Sequence, residues 1–172
     1  MISLNELSKQ LSEPSKPFEQ WQPAHCGQLS LLIDEQGKWF YAGSEITRQA
    51  MIKLFASVLC REDGQFYLKT PVEKIAIEVK DAPFIIVSWH RESTTDGDVI
   101  CCIDNLQRTW LLSRAEPLYI NNYKGAAVPY MQLPYGCFAR VARNVFYQWA
   151  EIAETDELGY FITSANERFY LG

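Results

Sequence analysis

Between Arg61 and Val79 the chain reads REDGQFYLKTPVEKIAIEV, and this stretch constrains the fold more than any other. Asp63-Gly64 is a turn signal, because both residues tolerate a left-handed backbone. Gln65–Lys69 and Ile75–Val79 carry aromatic and β-branched residues and read as strands. Thr70-Pro71 must interrupt the first strand, since proline brings no N–H to a ladder. A weaker copy stands at Thr155–Gly172, TDELGYFITSANERFYLG. Each copy has an acidic turn with glycine, an aromatic strand, a small polar corner, an acid–base pair and an apolar strand, and each follows a helical pattern. Aligning them sets Gly64 against Gly159 and Phe66 against Phe161. After a one-residue gap, Thr70 meets Ser164, Glu73 meets Glu167 and Lys74 meets Arg168. The expected architecture is therefore a domain duplication: two similar small α+β units with a groove between them, a favoured position for ligands.

The remaining elements fall around these two hairpins. Met1–Leu11 carries Leu4, Leu7 and Leu11 at helical spacing, a stripe suited to docking on the domain or on another subunit, which leaves a homo-oligomer open. Ser12–Pro23 holds three prolines and reads as an extended arm pinned by Phe18 and Trp21. Gln28–Ile33 and Lys38–Tyr41 flank Asp34-Glu35-Gln36-Gly37 as a hairpin. Ser44 is placed to cap a helix whose apolar positions run from Ile46 to Leu59, ending near Cys60–Glu62. Strands are expected at Phe84–His90, Val99–Asp104 and Thr109–Ser113, with extended segments at Leu118–Ile120 and Pro129–Leu133. Gly136–Ala153 predicts one continuous helix, with Phe138, Val141, Ala142, Val145, Phe146, Trp149 and Ile152 on its apolar face. The domain reading is an arm over residues 1–23, a first α+β unit over 24–90 and a second over 91–172.

Charge and composition exclude several classes. The net charge is −5 and no two Lys or Arg stand side by side, which argues against duplex nucleic acid as a partner. No apolar run approaches the roughly 18–20 residues that span a bilayer, and no signal-peptide pattern opens the chain, so a cytoplasmic protein that avoids membranes is expected. Cys26, Cys60, Cys101, Cys102 and Cys137 form no Cys-x-x-Cys and read as free thiols in a reducing compartment. His25 and His90 are the two histidines. The side chains of His25 and Cys26 diverge in an extended chain, and His90-Arg91-Glu92 matches no established metal-ligand spacing. No nucleophile elbow, phosphate loop or dinucleotide fingerprint occurs. The sequence therefore assigns no catalytic residue, metal or cofactor.

Seven residues are candidates for ligand binding. Thr70, Glu73 and Lys74 bring a hydroxyl, a carboxylate and an ammonium to one proline-fixed corner. Arg48 and Arg143 lie on helices with apolar opposite faces, where a guanidinium can clamp a phosphate or carboxylate. Trp39 and Tyr41 share one face of a strand and either fill the core or stack on a ring.

Several blocks resemble the bacterial DUF1285 family: GKWFYAGSEITR over Gly37–Arg48, EDGQFYLKTPVEKIAIEV, DAPF at Asp81–Phe84, and PYMQL followed by ARVARNVFY. TPVEK followed by DAPF is the most specific. The resemblance implies a duplicated α+β core whose second half is superficially like a pleckstrin-homology barrel. It also implies a site for a small anionic, nucleotide-like ligand where the halves meet, and a role in signalling. The family supplies no established activity. The resulting expectation is a non-catalytic ligand-sensing module, against two alternatives: a hydrolase or transferase using the same cleft, or a protein-interaction scaffold.

Overall fold

The computed structural model describes residues 20–95 and 97–172. The expected helix at Met1–Leu11 and the arm up to Glu19, with Phe18, lie outside them; Trp21 is buried, as its pinning role requires. The chain divides into two units, one reaching to Asp81 and including Tyr135–Cys137, the other formed by Ala82–Pro134 and Phe138–Gly172.

In the first unit, β1 (His25–Ile33), β2 (Trp39–Tyr41) and β3 (Ser44–Glu45) precede α1 (Gln49–Ala56). They are followed by β4 (Leu59–Glu62), β5 (Gln65–Lys69) and β6 (Glu73–Val79). The sheet order is β3-β2-β1-β6-β5-β4, and β1 runs parallel to β6 while every other neighbour is antiparallel. Strand alternation sorts the side chains. Leu29, Leu31, Ile33, Trp39, Phe66, Leu68, Ile75 and Ile77 are buried with Ile52 and Phe55 of α1. Cys26, Tyr67, Lys69 and Lys74 belong to the opposite face by register.

The first helix is shorter than its apolar periodicity suggested. Ser44 lies in β3 rather than at a cap; Arg48 is the cap residue and makes no side-chain capping bond. The helix stops at Ala56, where Ser57 Oγ donates back to Leu54 O at 2.6 Å. Leu59 and Cys60 then pair with Leu68 and Tyr67. A run of apolar residues fits a buried strand as well as a helix, and the neighbouring β5 supplies the backbone partners that decide between them.

The second unit contains β7 (Phe84–Thr94), β8 (Gly97–Asp104), β9 (Thr109–Leu111), β10 (Leu118–Tyr123), β11 (Ala126–Gln132) and β12 (Phe138–Val141). They form a sheet in the order β10-β11-β12-β7-β8-β9, with β12 parallel to β7. Then come α2 (Arg143–Ile152) and a three-stranded sheet of β13 (Glu154–Asp156), β14 (Gly159–Ser164) and β15 (Glu167–Tyr170). Position 90, where the sequence suggested the seam between units, lies inside β7.

The expected helix over Gly136–Ala153 is a helix only from Arg143. Pro134–Gly136 is a tight turn with Tyr135 at φ 60° and Gly136 at φ 73°. A Cβ on Gly136 would stand 2.6 Å from the Arg61 carbonyl oxygen, so a side chain is excluded there. Phe138–Val141 is a strand hydrogen-bonded on both sides, to β11 and β7. Such a central strand reads as a continuous apolar run, which the sequence could not distinguish from the helix that follows.

The units repeat one module, α1-β4-β5-β6 and α2-β13-β14-β15. In the first, Lys74 bonds Glu62, twelve residues earlier, and lies 4.3 Å over the Tyr67 ring. In the second, Arg168 bonds Asp156, also twelve residues earlier, and lies 4.6 Å over the Phe161 ring. Thr70 and Ser164, both fully buried, occupy equivalent corners. Structure thus sets Tyr67, not Phe66, against Phe161 and Leu158 against Gly64, and the alignment needs no gap. This agrees with duplication, although strands dominate and the described residues contain two α-helices, so the molecule is mostly β.

Candidate functional site

Each of the seven sequence candidates has a defined place. Trp39 is buried, with its ring 6.1 Å from that of Phe55, and Tyr41 is half-buried on the same face of β2. Trp39 therefore packs in the core, while Tyr41 keeps part of its ring at the surface. Thr70 donates its hydroxyl to Glu73 O at 3.0 Å and accepts from the Glu73 and Val72 N–H groups at 2.9 and 3.3 Å. One donor and two acceptor positions are all a hydroxyl has, so this one is occupied by its own turn. Glu73 is half-buried at the start of β6, and the carboxylate has no hydrogen bond or ion pair among the described residues. Arg48 and Arg143 are both exposed but not at equivalent positions: Arg48 caps α1, where the repeat has Ala142, and Arg143 is the first residue of α2, where the repeat has Gln49.

Lys74 is the candidate that belongs to a cluster. Its ammonium and that of Lys69, at 3.2 Å, both bind the Glu62 carboxylate. The hydrogen bond from Lys74 holds Glu62 below the usual glutamate range, and the same bond raises Lys74. Burial, then the Glu62 charge, pushes the neighbouring Cys60 thiol up to about 11. That thiol stays protonated and is no nucleophile.

In the second unit the equivalent cluster borders an open groove of about 420 Å³. The lining includes Arg114, Leu118, Tyr119, Glu167, Arg168 and Tyr170, from the loop before β10, from β10 and from β15. Arg168 Nη1 donates to Asp156 Oδ2 at 2.8 Å, and the Tyr170 hydroxyl donates to the same oxygen at 2.9 Å. Partial burial raises the Asp156 carboxyl, but bonds from the Leu158 N–H, Tyr170 and Arg168 outweigh it and hold the group below the usual range. Its negative charge fixes the Arg168 guanidinium in place. Arg114 binds Glu167 while remaining 85% exposed, so most of its donors face solvent. Tyr119 is exposed at the groove and stacks on Tyr130, ring centres 5.7 Å apart.

Sequence reasoning reached Glu167 and Arg168 through the repeat, but not their surroundings. Asp156 and Glu62 each end a strand before a two-residue turn, and their recurrence twelve residues ahead of a cation was the available signal. Arg114 and Tyr119 carry no local signal; tertiary packing alone brings them to β15.

The family model described as "Domain of unknown function (DUF1285), N-terminal domain" matches residues 16–82. Its companion, "Protein of unknown function (DUF1285), C-terminal domain", matches 83–171. No curated protein matches the chain. A crystal structure of a DUF1285 family protein from Silicibacter pomeroyi DSS-3 is similar at 29% identity and a TM-score of 0.89, over 98% of this chain and 94% of that one. A DUF1285 family protein from Shewanella baltica OS155 shares the fold at 24% identity and a TM-score of 0.58, over 72% of this chain and 91% of that one. No described helix is long and apolar enough to cross a membrane.

Proposed function

The chain belongs to the DUF1285 family, and from that premise we propose that it is a non-catalytic module that senses a small anionic, nucleotide-like ligand in the groove beside β10 and β15. The supporting observation is one juxtaposition. Two guanidinium groups, Arg114 and Arg168, border a groove of about 420 Å³ that also presents the Tyr119 ring. The volume lies within the roughly 300–1,000 Å³ usual for small-molecule sites. Arg168 is held in place by Asp156, so little side-chain freedom is lost when it meets an anion. Arg114 offers a planar fork suited to phosphate or carboxylate oxygens, and Tyr119 offers a face for a base. At the groove the Tyr170 hydroxyl meets a carboxylate, Asp156, that Arg168 also holds and that lies below the usual range, so it is a weak base, which favours sensing over hydrolysis or transfer. The pleckstrin-homology-like character expected of this half is part of the same reading; a unit of two sheets joined by one helix supports it. A signalling role would follow if occupancy alters what the protein contacts.

Thermal-shift and calorimetric titration with a nucleotide panel and pyrophosphate test this. A ligand at 100 times its Kd stabilises the folded state by about 2.7 kcal/mol. Arg114→Ala should weaken binding by about tenfold or more, the loss of one charge-assisted contact. Lys74→Met in the first unit should leave it unchanged. Indifference to every probe, or binding that survives Arg114→Ala and Arg168→Ala together, refutes the assignment.

A further inference from the structure

Away from the groove, the outer part of β7 carries a second cluster whose chemistry differs. From Val87 onward most of the strand is exposed. His90 and Glu92 are two residues apart and so project from one face, and Cys101 of β8 lies directly across from His90 in the ladder. One ligand atom from each, an imidazole nitrogen, a carboxylate oxygen and the thiol sulfur, lie within 4.8 Å of one another. Cys101 Sγ is 3.6 Å from Glu92 Oε2. Around a tetrahedral zinc ion, with bonds of about 2.3 Å to sulfur and about 2.1 Å to oxygen, two such atoms stand roughly 3.6 Å apart. The pair is therefore already at coordination spacing.

We propose that His90, Glu92 and Cys101 form a three-ligand site for a zinc-like divalent transition-metal ion. The ligand set selects the ion class. Thiolate and imidazole favour Zn²⁺ over Mg²⁺ or Ca²⁺, which prefer all-oxygen surroundings. Three protein ligands leave the fourth tetrahedral position for water or an exogenous group. Binding exchanges the thiol proton, released to solvent, for the metal–sulfur bond. The same three residue types in another arrangement would suggest a nucleophilic cysteine, but here the Cys101 thiol is buried and donates to the Glu92 carboxylate. A carboxylate beside a thiol lacks a cation, and a metal ion supplies one. His90-Arg91-Glu92 carries no helical metal spacing, yet on a strand the intervening residue is what places both ligands on one face.

Full-length protein, stripped by chelation and dialysis, is titrated anaerobically with Co²⁺ and then with Zn²⁺. The expected result is a thiolate-to-cobalt charge-transfer band with intense tetrahedral visible bands, saturating at one ion per chain and bleached by Zn²⁺. Cys101→Ser removes the charge-transfer band. His90→Ala and Glu92→Gln, at exposed positions where folding is not at stake, each raise the Co²⁺ Kd about tenfold or more. Cys26→Ser leaves the spectrum unchanged. The assignment is overturned if no charge-transfer band forms in excess Co²⁺, if the band survives Cys101→Ser or disappears in Cys26→Ser, or if the His90 and Glu92 variants bind as tightly as the parent.

Discussion

Asp104 gives the sharpest test of how the second unit is held together. The side chain is fully buried at the end of β8. Oδ1 accepts from the Leu106 and Arg108 N–H groups at 2.8 and 3.0 Å, and Oδ2 accepts from Arg108 Nε and Trp110 Nε1 at 2.8 and 2.9 Å. Arg108 lies 4.0 Å over the Phe84 ring and 5.0 Å over that of Trp110. One carboxylate therefore closes the β8–β9 turn and neutralises a guanidinium packed on two aromatic faces. Asp104→Ala leaves Arg108 without its counter-ion and three further N–H groups without an acceptor. Counting each charge-assisted bond at about 1.5–3 kcal/mol overstates the loss, because the Arg108 side chain is 29% exposed and water reaches it. Breaking one buried pair by removing a partner costs about 3–5 kcal/mol, and that is the expected destabilisation. Against a typical total of about 5–15 kcal/mol it is a large fraction. Urea unfolding followed by far-UV circular dichroism measures it, with hydrogen exchange at the Leu106 and Arg108 amides reporting the turn itself. Asp104→Asn should recover only part, since its oxygen can serve the turn while its NH2 then faces two donors. Arg108→Met combined with Asp104→Ala should lose less than the sum of the single changes. A loss under about 1 kcal/mol for Asp104→Ala, or strict additivity in the double variant, refutes this account.

Two further outcomes follow from the first unit. Thr70→Val keeps the shape of a fully buried residue but removes the acceptor of the Glu73 and Val72 N–H groups, so stability should fall by roughly 1–3 kcal/mol in denaturant melts, with no change in m. The hydrogen bond from Lys74 holds Glu62 below the usual glutamate range, so its ionised form stabilises the fold fully above the unfolded pKa and that contribution is lost as pH falls through the lower, folded value. The stability gap between the parent protein and Glu62→Gln should therefore shrink between about pH 6 and about pH 3; a gap that widens on acidification contradicts the Lys69–Glu62–Lys74 cluster.

How much of this was legible depends on which contacts each residue makes. The hairpins around Asp34–Gly37 and Asp63-Gly64 were readable because turn chemistry is local: Asp34 Oδ1 accepts from Gln36 N and Lys38 N at 2.9 and 2.8 Å. The Thr70 corner was readable for the same reason, although what it specifies is a turn rather than a ligand. Phe138–Val141 was misread because its strand partners, β7 and β11, are distant in sequence. Leu59–Glu62 was misread because the strand extends a helical apolar pattern without a break. Arg114 and Tyr119 were invisible, since nothing within several residues of either foretells that β15 packs nearby. Glu92 and Cys101 fall between these cases: each strand was anticipated, but β7 reaches to Thr94, and only that extension sets Glu92 on the face shared with His90.

The repeated module sharpens the functional argument, because equivalent positions were given different work. Lys74 and Arg168 occupy the same place, each tied to an acid twelve residues earlier and each lying over an aromatic ring. Thr70 binds its own turn, whereas Ser164 donates to Leu112 O at 2.6 Å and accepts from Ile100 N at 2.8 Å, fastening the small sheet to β8. The Glu73 carboxylate has no partner among the described residues, whereas that of Glu167 binds Arg114. The shared features are those that fold a helix and three strands; they need no ligand to explain them. The features that differ are the ones a repeat does not require for folding. In the second copy they combine a lysine-to-arginine exchange, a second guanidinium from outside the repeat and an exposed tyrosine around one groove. Arginine in place of lysine converts a point charge into a planar fork. A structural clamp works with either cation, so the exchange, together with the groove it borders, supports the proposal that an anion is recognised at the second copy of the module while the first serves as scaffold.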